Sequence, residues 1–168
     1  MAEVRLATLR SEHRARIVEI LVGTNAFSNE EVGVALELFD AENGDRRSPD
    51  YEFVGAFVDD ALAGYACYGP TPATDGTWDL YWLAVDPAAQ GRGVGRALVR
   101  WVEQELGRRG ARLLVVETSS RADYQVTRSF YARSGYTDAA RIRDFYSPSD
   151  DRIILTTRLS GEAGVATR

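Results

Sequence analysis

The chain reads as an α/β domain built on a mixed sheet, and three observations predict it. Short runs rich in β-branched and aromatic residues alternate with longer segments whose apolar residues recur at helical spacing. Those segments follow the order β-α-α-β-β-β-α-β-α-β-β, which lays helices against a sheet of parallel and antiparallel neighbours. The 168 residues, 45% hydrophobic and 27% charged, have one domain's length and can bury a core without metal or disulfide staples.

Residues 4–9 alternate as a first strand. Ser11 is placed to cap a helix on which Ile17, Ile20 and Leu21 form an apolar stripe, ending near Gly23 or Asn25. Ser28 opens a second helix: with Glu31 three residues on it fits a capping box, and Val32, Leu36 and Phe39 form the buried stripe. Residues 43–50 are polar and turn-rich and predict a mobile surface loop. Residues 52–58 and 62–68 flank Asp59-Asp60 as a hairpin, and a loop from Gly69 to Gly76 leads into a strand over 77–85.

That strand runs into Val85-Asp86-Pro87-Ala88-Ala89-Gln90-Gly91-Arg92-Gly93-Val94-Gly95-Arg96: a strand end, a turn, a glycine-rich loop and a helix start. Leu98, Val99, Val102 and Leu106 follow at helical spacing, and Gly107 and Gly110 close the helix. Glycines at 91, 93 and 95 leave backbone N–H groups uncovered at its N-terminus, which makes a site for a phosphate-bearing ligand. Residues 112–118 form a near-continuous apolar run, the pattern of a strand buried on both faces. Residues 123–133 carry Val126, Phe130 and Tyr131 at helical spacing and stop at Gly135. Strands over 136–146 and 152–159 complete a single domain of residues 1–159, and 160–168 are expected to be a disordered tail.

Composition excludes several classes of function. A net charge of −5 and a pI near 5.0 argue against a nucleic-acid partner. No apolar run approaches the length of a membrane helix and the N-terminus lacks a signal-peptide pattern, so no membrane association is expected and the cytoplasm is the expected compartment. All 20 basic residues are Arg, which removes lysine nucleophiles, Schiff bases and the Walker A lysine. Arg96 stands where a dinucleotide fingerprint needs its third glycine. His13 is a lone surface imidazole without ligand-spaced partners, so no metal is expected, and Cys67, the only cysteine, reads as a small buried hydrophobe.

The run Val85-Asp86-Pro87 to Gln90-Gly91-Arg92-Gly93-Val94-Gly95, followed by Ser129-Phe130-Tyr131-Ala132-Arg133-Ser134-Gly135-Tyr136, resembles the GCN5-related N-acetyltransferase (GNAT) family. Its Gln/Arg-x-x-Gly-x-Gly/Ala motif is met by Gln90, Gly93 and Gly95. Glu117-Thr118-Ser119-Ser120 and Tyr124-x-x-Thr127-Arg128-x-Phe130-Tyr131 resemble a bacterial-type subgroup. The resemblance implies the GNAT fold, a mixed, mostly antiparallel sheet of about seven strands with about four helices. The fourth and fifth strands splay at the cofactor site.

The activity implied is transfer of an acetyl group from acetyl-CoA, the co-substrate, to a primary amine by direct transfer in a ternary complex. The acceptor is a small molecule, an amino-acid-like compound or a peptide N-terminus, and the protein is a monomer or homodimer. The alternative is a catalytically silent CoA-binding sensor or partner protein of the same fold. The pyrophosphate is assigned to the loop amides of Gly91, Arg92, Gly93, Val94, Gly95 and Arg96, with Gln90 of the motif also in the cofactor site, and the resemblance assigns the pantetheine arm to backbone at Leu83, Ala84 and Val85. Tyr131 stands where the family carries its thiolate-protonating tyrosine; its other role is packing. Tyr124 replaces an asparagine of many relatives, and either lines the cofactor channel in another way or packs.

Two carboxylates compete for the general base. Asp79 shares a strand face with Tyr81 and Leu83, stands where relatives carry a longer glutamate, and acts through a water or is a solvated strand end. Glu117 ends the fifth strand near the splay, as base or as a salt-bridged terminus. For the acceptor, the resemblance points to Phe27, Glu30 and Glu31 near the second helix start, to Tyr81, and to Asp144, Tyr146, Asp150 and Asp151 near the last turn. Acidic and aromatic groups suit a cationic amine, though most of these residue types are also caps and turn formers. Arg128 either reaches a phosphate or lies on a solvated helix face.

Overall fold

The structure is a computed structural model and describes residues 3–43 and 50–160. Residues 44–49 of the expected loop and 161–168 of the expected tail lie outside the described residues. The elements are β1 (Arg5–Ala7), α1 (Arg14–Gly23), α2 (Asn29–Asn43), β2 (Glu52–Val58), β3 (Ala61–Pro70), β4 (Thr77–Val85), α3 (Val94–Arg108), β5 (Leu113–Ser119), α4 (Gln125–Arg133), β6 (Thr137–Ser147) and β7 (Asp150–Arg158). Short 3-10 turns occupy Ser11–His13, Pro87–Ala89 and Ala122–Tyr124. The strands form a seven-stranded, mostly antiparallel sheet in the order β1-β2-β3-β4-β5-β7-β6, with β4 and β5 parallel. No helix among the described residues is long and apolar enough to cross a membrane. The chain divides into two compact units, Met1–Gly69 with Tyr81–Val102 and Pro70–Leu80 with Glu103–Arg168.

In the first unit, Ile17, Ile20 and Leu21 of α1 and Ala35 and Phe39 of α2 pack with Phe53, Phe57, Leu62, Tyr65, Cys67 and Ala84 in one core cluster. Burying these side chains is the main driving force for this half of the fold, and aromatic contacts such as Phe39 on Phe53, ring centroids 5.4 Å apart, add direction. The capping box forms with both of its bonds: Ser28 N–H donates to Glu31 Oε2 at 2.7 Å, and Glu31 N–H to Ser28 Oγ at 3.2 Å. Asp59 and Asp60 both take positive φ, 51° and 61°, the conformation a tight two-residue hairpin needs.

Ser11 does not cap α1. It lies inside the first 3-10 turn, and His13 at the end of that turn reaches back, its Nδ1 accepting the Arg10 N–H at 2.9 Å. His13 is accordingly half-buried, its ring edge-on to Phe57 at 5.4 Å, rather than on the surface, because a turn-closing imidazole must lie against the chain it closes.

In the second unit, β4 and β5 pair from Thr77↔Leu113 to Leu80↔Val116. β4 continues to Val85 and β5 to Ser119, so this parallel ladder ends before either strand does. β7 pairs β5 antiparallel from Leu113↔Arg158 to Ser119↔Arg152. Leu114 and Val116 are fully covered while Leu113 and Val115 are half-buried, so β5 alternates instead of being buried on both faces. Val126 is 76% exposed because it lies five residues before buried Tyr131, about 140° around a helix of 3.6 residues per turn.

Candidate active site

The first unit holds the glycine loop, and its seat is built from backbone outward. Asp86, just past β4, donates its N–H to Ala63 O at 2.8 Å and caps the Pro87–Ala89 turn by accepting the Ala88 N–H on Oδ1 at 2.9 Å. Gly91 and Gly93 take φ of +75° and +81°, and no atom lies within 4 Å of where a Cβ would stand. They are glycines because of backbone conformation, and the space beside them is open. α3 makes its first hydrogen bond from Ala97 N–H to Gly93 O at 2.9 Å, so the amides of Val94, Gly95 and Arg96 precede the helical ladder.

Gln90, Gly91, Arg92, Gly93 and Arg96 are exposed, and buried Val94 anchors the helix start. A Cβ on Gly64 of β3 would stand 2.8 Å from Ala84 O and 3.1 Å from Val94 Cγ1, so glycine there lets β3 lie tight beneath the loop's base. This open, donor-rich helix N-terminus fits a pyrophosphate. Leu83 and Val85 are half-buried and Ala84 is buried on the strand that leads into it.

The same unit carries Phe27, Glu31 and Tyr81. Phe27 packs on Trp82 with centroids 5.0 Å apart, and Tyr81, 38% exposed, meets Tyr51 edge-on at 5.4 Å. Glu31 is engaged in the capping box, while Glu30 is exposed. Cys67 is buried and its thiol is pushed up by desolvation, which makes it a poor nucleophile.

The second unit carries Tyr131, Tyr124 and both candidate bases. Tyr131, 3% exposed, stands between the rings of Phe130 and Tyr136, 5.1 and 5.2 Å away. Burial pushes its phenol above the ordinary range, so it keeps its proton at neutral pH. Tyr124 precedes the first residue of α4, its ring beneath the Arg121 guanidinium at 5.2 Å. Asp79 lies within the β4–β5 ladder opposite Val115, its Oδ2 accepting the Thr71 hydroxyl at 2.6 Å. Glu117 is the first β5 residue past the last ladder pair; it is exposed and ion-paired with Arg152 of β7.

Arg128 is bonded within the chain rather than left on a solvated helix face. Its Nη1 donates to Ser119 O at 2.6 Å and Arg121 O at 2.9 Å, and Nη2 to Gln125 Oε1 at 2.8 Å, so it ties the end of β5 to α4. The β6–β7 hairpin absorbs three carboxylates. Asp144, at φ 51°, accepts the Ser149 N–H at 2.6 Å, and buried Asp150 accepts the Ser119 hydroxyl. Buried Asp151 accepts Arg141 Nε at 2.5 Å and the Asp144 N–H at 2.9 Å, contacts that hold its carboxyl below the usual range. Tyr146, 48% exposed, meets Phe145 at 5.0 Å. The sequence reading missed Arg152 and Thr71, whose roles depend on strand register and on a loop folding back, neither of which leaves a local pattern.

Known proteins resemble this chain in sequence and in fold. The Acetyltransferase (GNAT) family model matches residues 14–136. The chain is similar to the N-alpha-acetyltransferase RimI of Mycobacterium tuberculosis, 32% identical over 125 residues that span 73% of this chain and 75% of that one. A GNAT-family structure from Desulfovibrio desulfuricans superposes with a TM-score of 0.88 at 41% identity, covering 95% of this chain and 100% of that one. A Salmonella typhimurium structure with its cofactor acetyl-CoA has the same fold, with a TM-score of 0.72 at 20% identity over 95% of each chain.

Proposed function

Because the chain belongs to the acetyltransferase (GNAT) family and is an acetyl-CoA-dependent N-acetyltransferase, we propose that it acetylates the primary amine of a peptide N-terminus by direct transfer in a ternary complex. The observation that carries the reading is the open N-terminus of α3, where Gly91 and Gly93 turn the chain and the amides of 94–96 precede the helical ladder. Similarity to an N-alpha-acetyltransferase supports the choice of acceptor.

Bound acetyl-CoA supplies an acetyl group activated as a thioester. The loop amides and the helix dipole hold the pyrophosphate, and backbone at Leu83, Ala84 and Val85, beyond the stretch of β4 paired with β5, bonds the pantetheine arm. Glu117 removes a proton from the acceptor ammonium, directly or through a water, and is preferred to Asp79 because it lies past the β4–β5 ladder while Asp79 lies inside it and is held by Thr71. The free amine forms the C–N bond as the C–S bond breaks, and Tyr131 gives its proton to the departing sulfur. The proton that the new amide nitrogen sheds passes to solvent, from which the Tyr131 oxygen is reprotonated. Phe27 and Tyr81 in the first unit present aromatic surface for the residue that bears the amine. With Cys67 buried and protonated, no acyl-enzyme is formed on it.

The test is free-thiol release from acetyl-CoA against peptides, amino acids and polyamines. Release with peptide N-termini that disappears when the α-amine is blocked supports the proposal. Tight binding of acetyl-CoA without release across the panel sinks it in favour of a silent CoA binder.

A further inference from the structure

Arg16 of α1 has no place in the site assembled above, yet it is tied to the residue on which the glycine loop is seated. Its guanidinium spans three partners: Nε donates to Leu62 O at 3.1 Å, Nη1 to Glu19 Oε2 at 2.9 Å, and Nη2 bonds Asp86 Oδ2. The two oxygens of Asp86 are thereby divided, Oδ1 on the Ala88 amide and Oδ2 on Arg16. Leu62 and Ala63, adjacent on β3, receive Arg16 Nε and the Asp86 amide respectively. The pair is partly shielded, with the Asp86 side chain 18% exposed, so the charge-assisted bond is stronger than a surface pair of the same length.

We propose that Arg16 is a positioning residue for acetyl-CoA: it holds Asp86 so that the turn at 87–89, which also accepts the Arg92 N–H on Ala89 O, delivers the amides of Gly91 and of residues 93–96 toward the pyrophosphate. A planar fork is needed, because one side chain must reach a carbonyl and a carboxylate at once, which an ammonium does less well. Without Arg16, the Asp86 carboxylate is free to rotate, the cap on Ala88 loosens, and the loop amides lose preorganisation. The inference rests on the reading that this loop holds the pyrophosphate.

The test compares two acetyl donors, acetyl-CoA and S-acetylpantetheine, the second having the thioester arm but no pyrophosphate. Arg16→Gln is expected to raise KM for acetyl-CoA on the order of tenfold. It is expected to leave kcat at saturation and kcat/KM for S-acetylpantetheine within about twofold of the parent, as loss of one ground-state binding contact predicts. Equal losses on both donors, or no change on either, overturn the inference, since the first marks a general support of the fold and the second no role. Gly93→Val, read in the same assay, reports on the loop itself. If it raises KM for acetyl-CoA while Arg16→Gln does not, only the role of Arg16 fails; if it leaves KM unchanged, the pyrophosphate reading fails with it. Should Arg16→Gln not fold, Arg16→Lys gives the same comparison, a donor-selective rise in KM supporting the inference and an unselective one overturning it.

Discussion

Glu117 at the end of β5 and Arg152 on β7 form an ion pair diagonal to the strand register, in which Glu117 faces Ile154 and Ser119 faces Arg152. The pair fixes the carboxylate where the β4–β5 ladder has already ended at Leu80↔Val116. Glu117→Gln is therefore expected to lower kcat by about 10²–10³, the usual range for a positioned proton acceptor, with acetyl-CoA binding unchanged by calorimetry. Asp79→Asn is expected to cost less than about threefold, because the Thr71 hydroxyl donates equally well to an amide oxygen. Steady-state kinetics of the two variants decide between them; a larger loss for Asp79→Asn reverses the assignment.

Tyr131→Phe keeps the buried ring and removes the proton. It is expected to lower kcat by about 10²–10⁴ while stability changes by less than about 1 kcal/mol. Because burial raises the folded-state pKa of Tyr131 above the unfolded value near 10, its contribution is complete below that pH and is lost as pH rises through the folded value. The wild type should thus lose stability above about pH 10 more steeply than the Phe variant, as followed by circular dichroism.

Arg128 holds two backbone carbonyls, at Ser119 and Arg121, that join β5 to the helix carrying Tyr131. Arg128→Gln leaves both without their cationic donor and is expected to destabilise the protein by about 1–3 kcal/mol in urea unfolding. It is expected to lower kcat more than KM. Unchanged stability would mean that other contacts already fix this connection.

Asp151 accepts the Asp144 amide and Arg141, which depress its folded-state pKa. A depressed carboxylate contributes stability above the unfolded value near 3.9 and loses it as pH falls through the lower folded value. Asp151→Asn is expected to be less stable than the wild type at pH 7, with the difference shrinking below about pH 4. Paired acid titrations followed by intrinsic fluorescence check this, and a constant difference across that range would assign the effect to packing.

Local chemistry was legible where neighbours in sequence are neighbours in space. The Ser28–Glu31 box, the Asp59-Asp60 turn, the strand over 77–85 and the buried stripe of Leu98, Val99, Val102 and Leu106 on α3 all depend on residues a few positions apart. Ser11 was misplaced because a 3-10 turn precedes α1 and shifts where the helix begins, and Val126 because it was grouped with Tyr131 although five residues of helix set the two on different faces.

The sequence by itself determined the glycine loop and the helix start that follows it, since Gly91 and Gly93 permit the left-handed backbone that the loop takes and the first amides of a helix are left without intrahelical partners whatever surrounds them. Only the tertiary structure decided which charged groups remain available for chemistry. Glu31 and Asp151, acceptor candidates alike in sequence, are engaged by a helix cap and by a hairpin, while the carboxylate of Glu117 is aimed by an arginine 35 residues further along the chain. A carboxylate's role is set by the donors that reach it, and strand register brings those donors from parts of the chain that carry no mark of one another.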